Sequence, residues 1–369
     1  MNFTRERMLN RLIEMIQIDS ISFEEKAMSD YLEKYWLDKG LEVYRDQAGE
    51  KFGGNGSNIL VHIPGTMEGE ALCFNAHQDT VEPGRGIKPV VDGNLLRSSG
   101  NTILGADDKS GIAMLMEAYD VLQETKTPYR EMYFLFTICE EQNMHGAKNF
   151  DISKLPCKGI FSLDGAGSLG NMSIAGPAKD GIKVTFKGKK AHAGIEPEKG
   201  ANAAVMLAKA IAAVKFGRID AETTSNVGRI SGGDMTNVVT DEAFFTAEVR
   251  SHSQEKLDRE VDLIRQASLA AAAEMGGEAL VEVSHDYPTI KADFNSFIHK
   301  KLVEAYTKEG YEIKQVISGG GGDSNIFAGF GYQCAGISTG MKDVHSSSET
   351  LDLDIWMKAM RVLYRMMTD

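Results

Sequence analysis

The chain has 369 residues, more than the roughly 100–200 residues of a typical domain, so we expect two domains. Hydrophobic residues make up 42% of the sequence, which is ordinary for a globular protein with a sizeable core. The formal net charge is −13 and no basic run stands out, which argues against nucleic acid as a partner.

The N-terminal segment, MNFTRERMLNRLIEMIQIDS, lacks the apolar core and the small-residue cleavage site of a signal peptide. No stretch reaches the ~18 consecutive apolar residues of a membrane span. The four cysteines form no CxxC pair; they are Cys73, Cys139, Cys157 and Cys334. We interpret them as buried, reduced core residues, and we therefore expect a cytoplasmic protein that contacts no membrane.

The N-terminal part predicts an α/β domain. Helices are expected first, at residues 4–18 and 22–39, where Ser22–Glu25 has the form of a capping box and Gly40 is placed to end the second helix. Four short apolar, β-prone runs follow, at residues 58–63, 71–76, 132–137 and 159–163. An amphipathic helix is predicted at residues 110–123. Strands that alternate with helices indicate a sheet covered on both sides.

The spacing of apolar residues changes near residue 178. The next predicted elements are strand 181–186, helix 200–214, strands 226–231 and 243–250, helix 254–275 and strand 279–285. This β-α-β-β-α-β order is the ferredoxin-like plan. An α/β pattern then returns, with helix 295–309, strand 313–317, a glycine-rich loop and helix 354–367. We therefore predict a discontinuous α/β domain of residues 1–177 and 289–369, interrupted by an inserted domain of residues 178–288.

Five short segments concentrate acids and histidines, and three of them fall where a predicted strand ends. They are Asn75–Thr80 (NAHQDT), Gly105–Gly111 (GADDKSG), Cys139–Gln142 (CEEQ), Phe161–Gly165 (FSLDG) and Val344–Glu349 (VHSSSE). Taken singly, each is explained at least about as well by a structural histidine, a helix start or a turn. Ligands of α/β sheets, however, gather outside the carboxyl ends of the strands. Together the segments supply the mixed nitrogen and oxygen donors expected for two divalent ions ~3.5–4 Å apart.

The residue types suggest distinct roles within such a centre. His77 and Asp79 suit a zinc ligand and the carboxylate that fixes its tautomer. Asp107 is a candidate bridge, since a carboxylate can give one oxygen to each ion. The adjacent Glu140 and Glu141 repel each other at the mouth of the sheet, and a ligand plus a general base is a natural use of such a pair.

In this order the segments resemble the M20 family of dinuclear zinc metallopeptidases. The runs TILGADDKSG, FTICEEQNMHGAKNFD and GGGGDSN are most similar to its peptidase T (tripeptidase) branch, and the similarity extends from about residue 5 to the C-terminus. The resemblance implies a zinc-peptidase-type α/β catalytic domain that carries an inserted ferredoxin-like lid or dimerisation domain.

The resemblance also implies a ligand set for two Zn²⁺ ions per subunit, with Mn²⁺ or Co²⁺ as other ions that such a centre takes. The implied ligands are His77, Asp107, Glu141, Asp164 and His345. Asp107 would bridge the ions, His77 and Asp164 would complete one site, and Glu141 and His345 would complete the other.

Catalytic and substrate-binding roles follow from the same resemblance. Glu140 would be the general base, and Asp79 would orient His77. In the inserted domain, His192 (in KAHAG) resembles the histidine that binds the substrate carbonyl and stabilises its oxyanion. Asn237 and Arg250 resemble residues that hold the substrate.

The implied function is a metal-dependent exopeptidase, an aminopeptidase acting on tripeptides or similar short peptides, with a homodimer formed through the inserted domain. The alternatives are an amidohydrolase of N-acyl amino acids, a catalytically silent binding protein and a dimerising module without chemistry. One position departs from the peptidase T pattern, because Gly319 stands where that branch has an arginine. Arginine can hold a substrate carboxylate with two hydrogen bonds and glycine cannot, so strict tripeptide specificity does not follow.

Overall fold

A computed structural model describes residues 3–369 of the chain. In this range the α-helices are α1 (Arg5–Ile16), α2 (Lys26–Asp38), α3 (Ala106–Thr125), α4 (His145–Asn149), α5 (Ala203–Ala212), α6 (Gln254–Glu274), α7 (Phe297–Lys308), α8 (Asp323–Gly329) and α9 (Leu353–Thr368). The strands are β1 (Glu42–Arg45), β2 (Ile59–Ile63), β3 (Leu72–His77), β4 (Pro89–Asp92), β5 (Leu95–Ser98), β6 (Met132–Thr137), β7 (Gly159–Ala166), β8 (Asn171–Gly176), β9 (Ala178–Lys187), β10 (Gly217–Arg218), β11 (Thr223–Gly232), β12 (Glu242–Ser251), β13 (Glu278–Tyr287), β14 (Ile290–Lys291), β15 (Lys314–Ile317), β16 (Gln333–Lys342) and β17 (Thr350–Asp352).

The chain divides into two compact units. The first unit comprises the chain up to Ile174 together with Lys291–Ile317 and Gly322–Asp369. The second unit comprises Ala175–Ile290 and Ser318–Gly321. Strands β8, β14 and β15 form a small sheet of their own, and the chain passes from one unit to the other within β8, within β14 and directly after β15.

The first unit is built on a sheet of nine strands in the order β1-β2-β6-β3-β7-β16-β17-β5-β4. The four central strands, β6, β3, β7 and β16, run parallel to one another, whereas the flanking pairs are antiparallel. Every residue of β3 and β6 is buried. Strands covered on both faces are typically near-continuous apolar runs, and MYFLFT of β6 has that form.

The helices of the first unit bury apolar stripes against this sheet. In α1, Met8, Leu12, Met15 and Ile16 recur at helical spacing and are fully buried. Helix α3 packs on β3, β7 and β16 and also contacts α1 and α9. Nearly the whole helix is buried, so its first residues are held firmly in place.

Helix α2 begins later than the sequence pattern predicts. It starts at Lys26, and Glu25 is its N-cap residue without a side-chain cap hydrogen bond. The capping-box prediction at Ser22 is therefore wrong, because the Ser22 hydroxyl donates to Asp79 (2.8 Å) and Glu25 accepts from Cys139 instead. Gly40 does follow the helix in a left-handed conformation (φ 75°), as predicted.

The second unit has the ferredoxin-like plan that the sequence predicts. Its sheet has the order β10-β11-β12-β9-β13, with antiparallel pairing throughout. Burial alternates along β9 and β12, and α5 and α6 pack on the sheet. A strand with one covered face is expected to alternate in this way. The core of this unit is formed by residues such as Phe186, Phe245 and Ile264.

The cysteines and the helices agree with two expectations from the sequence. All four cysteines are free and buried. Within residues 3–369, no helix combines the length and the apolar character that crossing a bilayer requires.

Candidate functional site

The central parallel strands of the first unit bring the candidate ligands to one edge of the sheet. Because parallel strands point the same way, their carboxyl ends share an edge. His77 is the last residue of β3, and Glu140 and Glu141 follow shortly after β6. Asp164 lies inside β7 rather than after it, since that strand is longer than predicted. His345 follows β16, a strand that the sequence did not predict.

Asp107 lies between the two histidines. Its Oδ1 is 3.1 Å from Nε2 of His77, and its Oδ2 is 3.4 Å from Nε2 of His345. His345 Nε2 also lies 2.8 Å from Oε1 of Glu141. Segments separated by more than a hundred residues therefore meet on the two oxygens of one carboxylate, which is the geometry expected of a bridge.

Three overlapping sets of side chains could each hold a metal ion. They are His77 with Asp107 and Asp164, His77 with Glu140 and Glu141, and Asp107 with Glu141 and His345. In each set the potential ligand atoms lie within 4.8 Å of one another. The first and third sets match the two sites that the sequence resemblance implies, and they share Asp107. The second set adds Glu140, the predicted general base.

The acids of this cluster are buried close to one another, which disfavours their charged forms. Burial raises the pKa of Glu140 and of Asp164 well above the usual carboxyl range, and neighbouring carboxylates raise them further. Burial also raises the pKa of Glu141, although the hydrogen bond from His345 opposes the shift. A group of like charges in this position needs cations or protons to offset its repulsion.

The histidines supply part of that positive charge. Burial alone would raise the pKa of Asp107, but hydrogen bonds with His345 and His77 outweigh it and hold this pKa below the usual range. In return, hydrogen bonds with Asp107 and Glu141 raise the pKa of His345 to about 10. Carboxylate oxygens and imidazole nitrogens are the donors that zinc and similar divalent ions take in proteins, so the cluster fits a pair of such ions.

Asp79 makes contacts that the sequence did not predict. Nδ1 of His77 is 3.0 Å from the backbone oxygen of Asp79 and 3.5 Å from its carboxylate. The carboxylate instead accepts the backbone N–H groups of Glu140 (2.9 Å) and Glu141 (3.2 Å) and the hydroxyl of Ser22. Asp79 therefore fixes the backbone that carries the two glutamates, in addition to lying beside His77.

Glu25 supports the same segment from the other side. Its Oε1 accepts from the backbone N–H and from the thiol of Cys139, each at 3.0 Å. Cys139 has a positive φ of 48°, which is uncommon for a residue other than glycine and needs support from its surroundings. Burial and the neighbouring Asp79 carboxylate together raise the pKa of Glu25 to about 7. Only long-range contacts reveal this role, so no local sequence signal could have found it.

Further buried groups border the cluster. Asp108, joined to Asp107 by a cis peptide bond, is fully buried, and among the described residues its Oδ2 has no hydrogen-bond partner. Asp323 accepts a short hydrogen bond from Thr137 through Oδ2, and its Oδ1 has no partner within the described range. A Cβ atom on Gly322 would lie 3.3 Å from Oε1 of Glu140 and 3.5 Å from Oδ2 of Asp164. The motif GGGGDSN thus places a glycine and an acid against the predicted base.

The candidates in the second unit do not form one cluster. The segments of His192 and Asn237 pair through their backbones, since Ala193 donates to the Asn237 oxygen (3.0 Å) and His192 bridges with Val238. These segments lie near the end of β12 where Glu242 pairs with Lys187, whereas Arg250 pairs with Lys179 near the opposite end. Strand β12 has 10 residues, so its ends lie roughly 30 Å apart at ~3.4 Å per residue.

The side chains of these candidates are differently engaged. His192 is exposed, and its Nδ1 accepts from the backbone of Gly194 (3.1 Å). The guanidinium of Arg250 donates two hydrogen bonds to Glu248, at 2.8 and 3.2 Å. At Gly319, a Cβ atom would meet no described heavy atom within 4 Å, so the missing arginine side chain would find open space there.

Both units are similar to known proteins. Residues 179–275 match the family described as the peptidase dimerisation domain of M20 proteins. The uncharacterized protein YqjE of Bacillus subtilis is 37% identical over 349 residues, which cover 95% of this chain and 94% of that protein.

Two solved structures are similar over nearly the whole chain. One is the aminopeptidase PepT of Bacillus cereus, with 36% identity, a TM-score of 0.88, and coverage of 99% of this chain and 98% of that one. The other is a tripeptidase of Staphylococcus aureus, with 31% identity, a TM-score of 0.93 and the same coverage, 99% and 98%.

Proposed function

This chain belongs to the M20 family of metallopeptidases, in its peptidase T branch, and from that premise we propose that it removes the N-terminal residue from tripeptides or similarly short peptides. It is a metal-dependent exopeptidase. The observation that carries the proposal is the position of Asp107, whose two oxygens lie 3.1 and 3.4 Å from the imidazoles of His77 and His345.

We propose that two Zn²⁺ ions bind at Asp107, one with His77 and Asp164 and the other with Glu141 and His345; Mn²⁺ and Co²⁺ are the other ions to test. Bound there, a pair of divalent ions supplies a water of lowered pKa and an electrophile that polarises the scissile carbonyl. Support comes from the donor types and from the buried like charges, which such ions would neutralise.

Glu140 is the proposed base, because it lies in the cluster and outside the two proposed ligand sets. Burial raises the pKa of the Glu140 carboxyl, and a carboxylate of raised pKa is the stronger proton acceptor. Glu140 would take the proton of the attacking water and give it to the leaving amine. Asp79 would keep Glu140 in position through the backbone hydrogen bond at 2.9 Å. His192 would donate to the carbonyl oxygen as negative charge develops there.

We also propose a homodimer formed through the second unit, in line with the matched dimerisation domain. Asn237 and Arg250 stay predictions as substrate contacts. An extended tripeptide spans only about 10 Å, so His192 and Arg250 of one copy could not both reach it. A second copy would supply one of them. Light scattering of the purified protein tests whether it forms the dimer.

The cytoplasmic location of the protein stays a prediction.

The proposal is tested by digesting a peptide library with the metal-reconstituted protein and reading the products by mass spectrometry. The library contains N-acetyl amino acids and di-, tri- and tetrapeptides, each peptide with a free and with an acetylated N-terminus, and separate samples receive Zn²⁺, Mn²⁺ or Co²⁺. We expect loss of the N-terminal residue from tripeptides with a free amine. Release from the C-terminus, or hydrolysis of N-acyl amino acids alone, would contradict the proposal and favour the amidohydrolase alternative.

A further inference from the structure

Glu349 is a buried acid whose carboxylate accepts four successive backbone N–H groups. Its Oε2 accepts from Leu104 and Gly105, each at 2.8 Å. Its Oε1 accepts from Ala106 at 2.8 Å and from Asp107 at 3.1 Å. The residue is 1% exposed, so these bonds are shielded from water. Hydrogen bonds to an ionised acceptor are about twice as strong as neutral ones.

The four donors are the backbone that presents Asp107. Helix α3 starts at Ala106, but Asp107 and Asp108 have non-helical backbone angles, so the N–H groups of residues 104–107 have no acceptor within a regular helix. Gly105, just before it, is in the left-handed conformation with φ 73°. Asp108 caps the regular part of α3 by accepting from the Gly111 N–H (3.2 Å), and the Glu349 carboxylate, from a distant part of the chain, holds the turn that precedes it.

Glu349 also ties together two segments of the cluster. It lies at the end of the Val344–Glu349 loop that carries His345, whose imidazole is 3.4 Å from Oδ2 of Asp107. The same loop therefore contacts Asp107 twice, at its backbone through Glu349 and at its side chain through His345. Directly after Glu349, β17 pairs with β5, which anchors the loop to the sheet.

We propose that Glu349 is a positioning residue of the metal centre, which fixes the backbone of residues 104–107 so that the Asp107 carboxylate is held between His77 and His345 before any ion binds. The inference rests on the proposed function in so far as Asp107 is a metal ligand. Glu349 itself touches neither metal nor substrate in this scheme.

The test uses Glu349→Gln and a matched control, Glu117→Gln. The glutamine is isosteric, but its amide would present N–H groups to two backbone N–H donors. Glu117 lies on α3, the helix whose start Glu349 contacts. It is also fully buried, and it accepts from Arg7 and Arg11, away from the cluster. Loss of partners that orient metal ligands typically weakens metal binding ~10–100-fold.

Zinc affinity is measured by competition with a chromogenic chelator, and backbone protection by hydrogen exchange with mass spectrometry. We expect Glu349→Gln to bind zinc ~10–100-fold more weakly, to exchange faster at residues 104–107 and to lower kcat with little change in KM. Glu117→Gln should melt at a lower temperature yet bind zinc like the parent. Parental zinc affinity together with parental exchange in Glu349→Gln would overturn the proposal.

Two further measurements decide the matter if Glu349→Gln does not fold. Glu349→Asp keeps the charge but is one methylene shorter, so it should lose zinc affinity to a smaller extent; parental affinity would overturn the proposal. In the metal-free parent, the amides of residues 104–107 should exchange as slowly as those of β6, and exchange as fast as that of an exposed loop would also overturn it. A parent that binds zinc as expected but cleaves no peptide would refute the proposed function and leave the role of Glu349 standing.

Discussion

The two units arrange their candidate residues in opposite ways. In the first unit, four of the five segments meet because the parallel strands β6, β3, β7 and β16 end at a common edge, and the fifth, with Asp107, lies at the start of α3. In the second unit the strands are antiparallel, so consecutive strand ends alternate between two edges. His192 and Asn237 therefore share one edge, and Arg250 lies near the other. A parallel sheet can collect a complete site in one place, whereas this antiparallel sheet leaves partial sites at both ends.

The largest effect expected from this comparison is that of removing a histidine at the common edge. His77→Ala should fall from about two bound ions per subunit to about one or fewer and lose peptide hydrolysis, since His77 belongs to the proposed ligand set. Metal content is measured by atomic emission after dialysis. His62→Ala is the control, because His62 lies in the same unit on β2 and pairs with Glu131 outside the cluster. Normal metal content in His77→Ala would refute the ligand assignment.

The next test separates two adjacent acids at that edge. Glu140→Gln should lower kcat by ~10²–10⁴-fold while retaining both ions, because only the proposed base is removed. Its melting temperature without metal should not fall, since burial already disfavours the charge of this side chain. Glu141→Gln should instead lose metal. Steady-state kinetics and metal analysis of both variants distinguish the base from the ligand. Loss of metal in Glu140→Gln but not in Glu141→Gln would show that Glu140 is the ligand and Glu141 the base.

A smaller effect is expected in the second unit. His192→Ala should lower kcat by ~10²–10³-fold, the range for loss of one donor to a developing oxyanion, and should leave metal content unchanged. His285→Ala is matched, because His285 is also exposed in this unit and pairs with Asp180 at 2.9 Å. If His192→Ala keeps the parental kcat, His192 is not the donor to the oxyanion.

The smallest effect concerns the stability of the metal-free protein. Carboxyl groups with raised pKa values, such as Glu140 and Asp164, cost no stability while protonated in both states and destabilise the fold as pH rises above ~4. His345, with its pKa raised to about 10, stabilises the fold below ~6.5 and loses that contribution as pH rises through about 10. Between pH 5 and 9 the carboxyl groups and His345 both lower the stability of the fold as pH rises. The lowered pKa of Asp107 changes the stability only below pH ~4.

The melting temperature of the metal-free protein should therefore fall by a few degrees from about pH 5 to about pH 7. Above that range the buried Lys109, whose pKa is lowered to about 7, acts with the opposite sign. With zinc bound, the slope should be smaller, because cations replace protons as the neutralising charge. Differential scanning fluorimetry with and without zinc measures both profiles. Equal slopes in the two profiles would show that the cluster does not take up cations.

Elements with a strong local pattern could be predicted from the sequence. Strand β6 has the predicted bounds, Met132–Thr137, because a continuous apolar run bounded by polar residues has few alternatives. The ferredoxin-like order of the second unit could be predicted for the same reason, because the spacing of its apolar residues changes between that of a strand and that of a helix. Strand β16 was missed although it is central, because its sequence, QCAGISTGMK, is small and polar rather than branched and apolar.

What the sequence could not reveal are the contacts between segments far apart in the chain. Ser22 has the pattern of a helix cap, yet its hydroxyl donates to Asp79, and this tertiary contact prevails over the local one. The bonds of Glu349 to residues 104–107 join positions 242 to 245 residues apart. The roles of the site residues themselves stay predictions until the variants are measured.

Strand β16 and the loop 344–349 come after Asp164 in the sequence, which matters while the chain is being translated. A polypeptide still leaving the ribosome already contains the acids and the imidazole up to Asp164, but neither the strand that lies beside β7 nor the loop that closes on Asp107. Contacts of such long sequence separation form late. In the proposed scheme, hydrolytic competence requires translation to have passed residue 349, because a shorter chain lacks the loop that brings His345 to Asp107.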